Sequence, residues 1–216
     1  MNKIPFANRN FYEFFISPDL VDEALQNILK QELDIDDVPN SLNPNAIPSK
    51  AIHNKNQTPI YHKELFDELE KCVDEVSDIH FNKVKLSIHD AWMTRSNFAE
   101  SSQSHHHSFS IFSGLLYMTD SSKTLTSFSI SDPFYEKLYY LFGPVLKKQR
   151  YEYNSVPKKG RLIIWESDVT HQMKPNRDTH TRYTLAFNTW PTGTINDYPT
   201  QTLITNVEDV QSRFLK

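Results

Sequence analysis

Two stretches in the first third of the chain carry hydrophobic residues at helical spacing. After Pro18 and Asp19, which are typical of a helix start, the apolar positions recur every three or four residues to about Leu33: Leu20, Val21, Leu25, Ile28 and Leu29. A second helix fits residues 61–76, where one stripe holds Leu65, Leu69, Cys72 and Val76. Residues 1–16 fit an arm or first strand, and the Asn-, Pro- and Ser-rich residues 34–59 fit a long loop.

Beyond Phe81 the pattern changes to the alternation of strands. Hydrophobic Val84, Leu86 and Ile88 alternate with polar residues, which is typical of a half-buried strand. Further strands are predicted over 109–117, 124–130, 150–156, 161–165 and 181–189. Helices followed by many short strands favour an α+β, mainly β fold, a barrel or sandwich with N-terminal helices. We interpret residues 1–216 as one domain, with a helical part over 1–80 and a strand-rich core over 81–200.

Composition excludes several classes of function. The net charge of -4 leaves no basic stripe for nucleic acid, and no apolar stretch reaches the ~18–20 residues that span a bilayer. The N-terminus lacks the apolar region of a secretory signal, so a cytoplasmic protein is expected. Cys72 is the only cysteine, and the four glycines do not form a phosphate-binding loop.

Histidines provide the candidate chemistry. His105, His106 and His107 stand in a row, and His171 follows in a later segment. On an extended strand, residues i and i+2 share a face, so His105 and His107 are expected to point together. With His171 they form a candidate metal site that leaves one side of the ion open. The alternative is an exposed histidine run without function.

Arg182 adds a candidate anion site. The strand period of two places Arg182, Thr184, Ala186 and Asn188 on one face, opposite bulky apolar residues, which suits a strand that lines a cavity. A guanidinium at the start of that strand is suited to bind a carboxylate in bidentate fashion. A salt bridge at the rim is the alternative.

A series of motifs runs from Trp92 to Asn188. In order they are Trp92, His105-His106-His107, Ser113-Gly114-Leu115-Leu116-Tyr117, Trp165-Glu166-Ser167, His171, and Arg182 with Phe187-Asn188. The series resembles the iron(II)- and 2-oxoglutarate-dependent oxygenases, most closely a subfamily known from marine bacteria and their phages. This resemblance implies a double-stranded β-helix, a jelly-roll or cupin-like barrel, with the N-terminal helices packed on one sheet.

The resemblance also implies roles for individual residues. His105, His107 and His171 would ligate iron(II), and Arg182 would bind the distal carboxylate of 2-oxoglutarate. Tyr117, Thr184 and Asn188 would line the cosubstrate site. His107 stands where most of the superfamily has Asp or Glu. Three accounts remain open: His107 is a true ligand, or water or a carboxylate such as Asp120 or Asp132 completes the site, or the metal site is weakened.

The expected function is therefore a dioxygenase that hydroxylates an unidentified small-molecule or peptide substrate, with succinate and carbon dioxide as co-products. Residues 44–59 and 132–153 are expected at the cavity mouth. Two alternatives remain: a three-histidine metal enzyme that does not use 2-oxoglutarate, and a non-catalytic jelly-roll binding module.

Overall fold

Strands dominate the structure of this chain, a computed structural model that describes residues 1–6, 9–30, 33–35, 47–48, 50–54, 62–81, 84–131, 150–192, 194–195 and 205–206. The helices are α1 (Pro18–Leu29) and α2 (Lys63–His80). The strands are β1 (Asn2–Phe6), β2 (Arg9–Phe15), β3 (Leu33–Ile35), β4 (Ile47–Pro48), β5 (Lys50–Asn54), β6 (Lys85–Ser96), β7 (Glu100–Ser101), β8 (Phe112–Tyr117), β9 (Thr126–Ser131), β10 (Arg150–Ser155), β11 (Arg161–Glu166), β12 (Thr170–Met173), β13 (Arg182–Thr192), β14 (Thr194–Ile195) and β15 (Thr205–Asn206).

Two sheets face each other. The larger has the strand order β1-β2-β11-β8-β13-β6-β5-β3, and the smaller has the order β10-β9-β12. Aromatic side chains join them: the ring of Phe128 on β9 lies 5.0 Å from that of Phe11 on β2 and 5.0 Å from that of Trp165 on β11. The strands thus form a double-stranded β-helix, which confirms the predicted fold class.

The helices cover the outer face of the larger sheet. The predicted stripe of α2 is buried, with Leu65 and Leu69 at 0 % exposure, and it packs in one cluster with Leu185 and Phe187 of β13. The opposite face of β13 lines the space between the sheets. The strand is largely buried on both faces, a structural face and a cavity face, as the alternation of its side chains predicts.

A second hydrophobic cluster fills part of the space between the sheets. Its buried members are Phe11, Leu115, Tyr117, Phe128, Ile163, Trp165 and Val169. Polar side chains, described below, occupy the rest of this interior. Among the described helices, none is long and apolar enough to cross a membrane.

Several boundaries differ from the sequence prediction. Helix α1 ends at Leu29 rather than Leu33, because Leu33 begins β3. The predicted loop contains β4 and β5, while residues 36–46 and 55–59 lie outside the described residues. Residues 1–80 are thus not only helical. β5 pairs with β6 through main-chain hydrogen bonds, which residue composition does not reveal.

Candidate metal centre

The three predicted histidines come together at one edge of the barrel. His105 and His171 form an isolated antiparallel bridge, with N–H to O distances of 3.0 and 2.8 Å in the two directions. The His107 N–H donates to the Ser167 carbonyl at 3.0 Å. His105 is exposed, His107 is half-buried and His171 is buried, so the cluster opens to solvent on one side.

The reason given for this convergence from the sequence was wrong in one respect. His105 makes only the single bridge, and His107 follows in irregular backbone rather than on the same strand. The rings of His105 and His107 nevertheless lie 5.1 Å apart. Hydrogen bonds to Ser167 and His171, which are distant in sequence, place them.

The orientation of the His105 and His171 rings directs one nitrogen of each towards the centre of the cluster. Nδ1 of His105 lies 2.9 Å from the Gln103 carbonyl, and Nδ1 of His171 lies 3.4 Å from the Val169 carbonyl. A carbonyl oxygen only accepts, so these contacts place the ring proton on Nδ1 and leave Nε2 as the free donor atom for a metal.

The spacing of these nitrogens suits one ion. Nε2 of His107 and Nε2 of His171 lie 3.4 Å apart, and one ligand atom from each of the three histidines falls within 4.8 Å of the others. Two nitrogens that each lie about 2.1 Å from an ion are separated by about 3 to 4 Å. The three nitrogens therefore fit a single ion such as iron, after a small shift of the His105 ring.

Electrostatics favour the neutral, metal-binding form of the rings. Burial lowers the pKa of His107 to about 4, with a further contribution from His105 and His106. Burial, with the neighbouring histidines, also lowers the pKa of His171 well below its usual value. Neutral imidazole is the form that ligates metals, so binding an ion does not first require loss of a proton from these two rings near neutral pH.

Among the described residues, no carboxylate joins this cluster. Oδ1 of Asp120 accepts a hydrogen bond from the Lys159 N–H at 2.9 Å, and its own carbonyl contacts His180, so Asp120 is engaged elsewhere. Asp132, the other carboxylate considered, lies outside the described residues. Of the accounts open from the sequence, His107 as the third donor is the one that this geometry favours.

Arg182 lies inside the barrel and is 1 % exposed. Its guanidinium donates to the Lys174 carbonyl at 3.2 and 3.3 Å and to Ser96 Oγ at 3.3 Å, while Nε has no partner. No carboxylate within the described residues forms an ion pair with it. Burial lowers the pKa of Arg182 to about 10, and the charges of Tyr117 and Asp178 only partly oppose this effect. A buried cation without a directly paired counter-ion is costly, so this position is suited to an anion.

Three buried hydroxyls complete the polar interior. Tyr117, Thr126 and Ser155 are each at most 1 % exposed, and none of their hydroxyl oxygens makes a well-formed hydrogen bond. They lie near one another, because Ser155 and Thr126 oppose the rise that burial causes in the pKa of Tyr117. Tyr117 also interacts electrostatically with Arg182. Unsatisfied buried donors beside a cation form a site for a carboxylate.

The sequence identified Tyr117 but not Thr126 or Ser155. Thr126 shares a face of β9 with Phe128, which points into the barrel, so strand alternation was a usable signal for it. Ser155 ends β10 beside Thr126, and only the strand pairing reveals this. Sequence spacing alone does not connect residues 126 and 155.

Thr184 and Asn188 both face the interior, as predicted, but in different surroundings. Thr184 pairs with Tyr117 across the strands, and its hydroxyl lies 3.6 Å from Met173 Sδ. Asn188 stands six residues beyond Arg182, about 20 Å along an extended strand, and its amide contacts Ser113 at 2.9 Å. Asn188 therefore does not reach the Arg182 end of the cavity.

Aromatic side chains surround the triad. The rings of Trp92 and His107 lie 5.6 Å apart, and those of Trp165 and His171 lie 4.9 Å apart. Phe109, two residues beyond His107, is 84 % exposed. The centre is thus shielded on the barrel side and open towards the loop that carries the histidine run.

Comparison with known proteins agrees with this arrangement. Residues 90–188 match the family described as "Putative 2OG-Fe(II) oxygenase". No curated protein matches the chain significantly.

Similar solved structures share the fold at low identity. A Pseudomonas putida prolyl-4-hydroxylase has a TM-score of 0.55 and 13% identity over 84% of this chain and 94% of its own. The non-heme alpha ketoglutarate dependent epimerase SnoN of nogalamycin biosynthesis has a TM-score of 0.62 and 9% identity, over 89% and 86%. A viral collagen prolyl hydroxylase from Paramecium Bursaria Chlorella virus-1 has a TM-score of 0.52 and 14% identity, over 83% and 94%.

Proposed function

We propose that this chain, whose residues 90–188 match the family described as "Putative 2OG-Fe(II) oxygenase", is a 2-oxoglutarate- and iron(II)-dependent oxygenase that hydroxylates a C–H bond of a small-molecule or peptide substrate. Succinate and carbon dioxide are the expected co-products. The observation that carries this proposal is the pairing of two sites in one barrel. A cluster of three histidines lies in the same barrel as a buried arginine, which has no ion-pair partner among the described residues.

The metal ligands in this proposal are Nε2 of His105, His107 and His171. His105 and His171 already direct Nδ1 to carbonyl oxygens, and His171 lies 3.4 Å from His107. Imidazole nitrogen is a suitable ligand for iron, and three donors on one side leave positions free for other ligands. When bound, iron(II) and 2-oxoglutarate supply the oxidising chemistry, in which decarboxylation of the cosubstrate is coupled to oxygen insertion into the substrate.

Arg182 is proposed to bind the distal carboxylate of 2-oxoglutarate. Its Nε is an unused donor, and the hydroxyls of Tyr117, Thr126 and Ser155 are unsatisfied in the same interior. The distance between Arg182 and the three histidines suits the length of 2-oxoglutarate. Lys174, whose carbonyl binds Arg182, follows His171 by three residues, about 10 Å along extended backbone. A five-carbon dicarboxylate spans a separation of this order when one end lies at the metal.

The remaining residues of the interior orient the reactants and exclude water. The Thr184 hydroxyl lies 3.6 Å from Sδ of Met173, two residues beyond His171, and the Trp165 ring packs on the barrel side of His171. Exposed Phe109 stands at the open side, where the substrate is proposed to enter. A cytoplasmic location is part of the same proposal, and the free, buried thiol of Cys72 is compatible with it.

A three-histidine enzyme that does not use 2-oxoglutarate explains the metal cluster equally well. It leaves the buried charge of Arg182 and three unsatisfied hydroxyls without a ligand, at a cost of about 1–3 kcal/mol for each unpaired polar group. A binding module without metal leaves the convergence of three histidine ligand atoms within 4.8 Å of one another without a role. Both alternatives are therefore less well supported.

The test is an anaerobic titration of the purified protein with iron(II) and then 2-oxoglutarate, monitored by the weak visible charge-transfer band of the chelate. We expect the band in the wild type and in Arg177→Gln, whose exposed guanidinium lies in the same connection between β12 and β13. Arg182→Gln should retain iron but bind 2-oxoglutarate about 10- to 100-fold more weakly, because it loses charge-assisted hydrogen bonds.

The other outcomes separate the alternatives. An unchanged 2-oxoglutarate affinity in Arg182→Gln contradicts the assignment of that residue. Iron binding by the wild type without the band, at any 2-oxoglutarate concentration, indicates a three-histidine enzyme of another type. Absence of iron binding indicates a binding module.

A further inference from the structure

Ser167 is linked to the His107 segment by two main-chain hydrogen bonds. Its carbonyl accepts from the His107 N–H at 3.0 Å, and its N–H donates to the Ile111 carbonyl at 3.1 Å. Residues 107–111 are thus held at both ends by one buried residue, 2 % exposed, of the turn that follows β11. Any displacement of Ser167 moves His107.

A chain of serine hydroxyls fixes Ser167 in turn. Its Oγ lies 2.9 Å from Ser110 Oγ and 2.8 Å from Ser113 Oγ. The chain ends on the Phe112 carbonyl, 2.7 Å from Ser110 Oγ, and on the Asn188 amide, 2.9 Å from Ser113 Oγ. Ser113 is 1 % exposed, so these bonds are formed away from competing water.

His107 differs from the other two histidines in what orients its ring. Nδ1 of His105 and Nδ1 of His171 each contact a nearby carbonyl. Within the described residues, Nδ1 of His107 has no such partner. Its ring contacts the neighbouring rings of Trp92, 5.6 Å away, and of His171, on which it stacks. Without a hydrogen bond at Nδ1, the direction of Nε2 of His107 depends on these ring contacts and on the position of its backbone.

We propose that Ser110, Ser113 and Ser167 form a positioning chain that holds His107 in its metal-binding orientation. The chain replaces the direct hydrogen bond to the imidazole that usually orients a metal-ligating histidine. Ser167 is a positioning residue, since it contacts the ligand only through the main chain. This inference rests on metal binding by the triad, which is part of the proposed function.

An exposed ion-pair cluster flanks the same turn. Arg9 pairs with Glu166 at 3.0 Å and with Asp168, on either side of Ser167. The Arg9 side chain is 33% exposed and that of Asp168 is 58% exposed, so solvent weakens this clamp. The buried hydroxyls, rather than the ion pairs, are expected to determine the position of Ser167.

Cobalt(II) titration of the full-length protein tests the proposal, because the visible d–d bands of cobalt report the number and geometry of its ligands. We expect Ser167→Ala to bind cobalt about 10- to 100-fold more weakly than the wild type, the usual effect of removing a residue that orients a ligand. Its d–d bands should shift in energy and intensity. Ser113→Ala should act in the same direction, and Arg9→Gln should stay close to the wild type.

Ser87→Ala is the matched control. Ser87 is a buried serine whose hydroxyl donates to Glu70 at 2.8 Å, on the helix side of β6. Ser87→Ala should also lower the thermal stability, since it removes a buried side-chain hydrogen bond, yet leave cobalt affinity and spectrum unchanged. If Ser167 had only a structural role, Ser167→Ala would behave like Ser87→Ala.

Two results are decisive against the proposal. If the wild type binds cobalt and both Ser167→Ala and Ser113→Ala give the wild-type affinity and spectrum, the positioning role is wrong while the metal centre stands. If the wild type binds neither cobalt nor iron, the metal centre itself fails and this inference falls with it. Should Ser167→Ala not fold, Ser113→Ala alone decides between these outcomes.

Discussion

Nε2 of His107 and Nε2 of His171 face each other across 3.4 Å, although 64 residues separate them in the sequence. The two rings are stacked, with an interplanar angle of 23° and centroids 5.0 Å apart. Both carry a lowered pKa, so neither ring repels the other by charge near neutral pH. Two ring nitrogens of neutral imidazoles at this distance form an arrangement that an ion stabilises.

His107→Ala should abolish stoichiometric binding of iron(II) or nickel(II), because it removes one of the three convergent nitrogens. We expect a loss of at least about 100-fold in affinity, beyond the effect of changing only an orienting residue. His106→Ala is the matched control. The His106 ring is exposed and contacts only Ser108 Oγ at 3.3 Å, so isothermal titration should give wild-type binding. Equal binding by the two variants argues against His107 as a ligand.

Ser155→Ala and Thr126→Val should affect the ligand-bound protein far more than the free protein. Neither hydroxyl makes a well-formed hydrogen bond with the described residues, so its removal should change the free energy of unfolding little. Affinity for 2-oxoglutarate should fall about 5- to 100-fold for each, since a hydrogen bond to a carboxylate contributes ~1–3 kcal/mol.

Thermal melting with iron and increasing 2-oxoglutarate measures both quantities in these variants. Ser127→Ala, on the opposite face of β9 from Thr126, serves as the control and should show the wild-type shift. If Ser155→Ala destabilises the free protein and spares the ligand-induced shift, its hydroxyl belongs to the core and not to the site.

Glu70 provides a pH-dependent contribution to stability. Its Oε1 accepts from Ser87 Oγ at 2.8 Å and from the Ile88 N–H at 3.0 Å, which joins α2 to β6. Burial raises the pKa of Glu70, and the two hydrogen bonds only partly oppose this effect. The folded state therefore binds the proton more tightly than the unfolded state. The stability that proton binding by Glu70 contributes is fully present below the unfolded pKa. It is lost as the pH rises through the folded pKa.

Glu70→Gln should remove this pH dependence. The glutamine oxygen accepts the same two hydrogen bonds without a buried charge, so the variant should be more stable than the wild type at pH 8. The difference should shrink as the pH falls towards 4. Denaturant unfolding of the metal-free protein at several pH values measures it, with exposed Glu75→Gln as the control. A constant difference across this range contradicts the prediction.

The serine chain also predicts the orientation of the Asn188 amide. Ser110 Oγ lies 2.7 Å from the Phe112 carbonyl, so its one proton is directed there. Ser167 must then donate to Ser110, and Ser113 to Ser167. No proton of Ser113 remains for Asn188 Oδ1, which is placed 2.9 Å away. Because amide oxygen and nitrogen are assigned from their hydrogen bonds, Nδ2 belongs at this position.

Side-chain amide signals in the NMR spectrum of the zinc-loaded, ¹⁵N-labelled protein test this assignment. The Asn188 NH₂ pair, identified by its loss in Asn188→Ser, should show nuclear Overhauser effects to the β-protons of Ser113. It should also exchange slowly with solvent. Contacts to Trp92 without contacts to Ser113 indicate the opposite orientation. The predicted orientation leaves the amide oxygen, an acceptor, directed away from Ser113.

The sequence predicted the fold wherever one face of an element is buried. The stripe of Leu65 and Leu69 on α2 and the alternation from Arg182 to Asn188 on β13 are confirmed because burial enforces a strict period. β12 has only four residues, too few for a recognisable pattern, and it was missed although it carries His171. β5 is defined by pairing with β6, which composition does not encode.

The convergence of the three histidines is found as predicted, but for a partly different reason. Strand alternation was invoked for His105 and His107, whereas hydrogen bonds to distant residues hold them. Such contacts depend on the complete fold. Gly114 illustrates the same limit: an added Cβ there would lie 2.0 Å from Cζ of Phe187, so the Ser-Gly motif reflects packing against a strand 73 residues later. The sequence did not reveal the hydroxyls of Thr126 and Ser155 either, because strand pairing brings them together.

Strand β12 and the turn after it link the proposed metal site to the proposed carboxylate site. His171 lies on β12, and three residues later the Lys174 carbonyl accepts two hydrogen bonds from Arg182. An ion at one end and an anion at the other thus restrain a single short length of backbone. The ligand that binds first orders this backbone, so the second ligand loses less conformational entropy on binding. The two affinities are therefore linked by one coupling free energy. With both sites occupied as proposed, either ligand should raise the affinity for the other by the same factor.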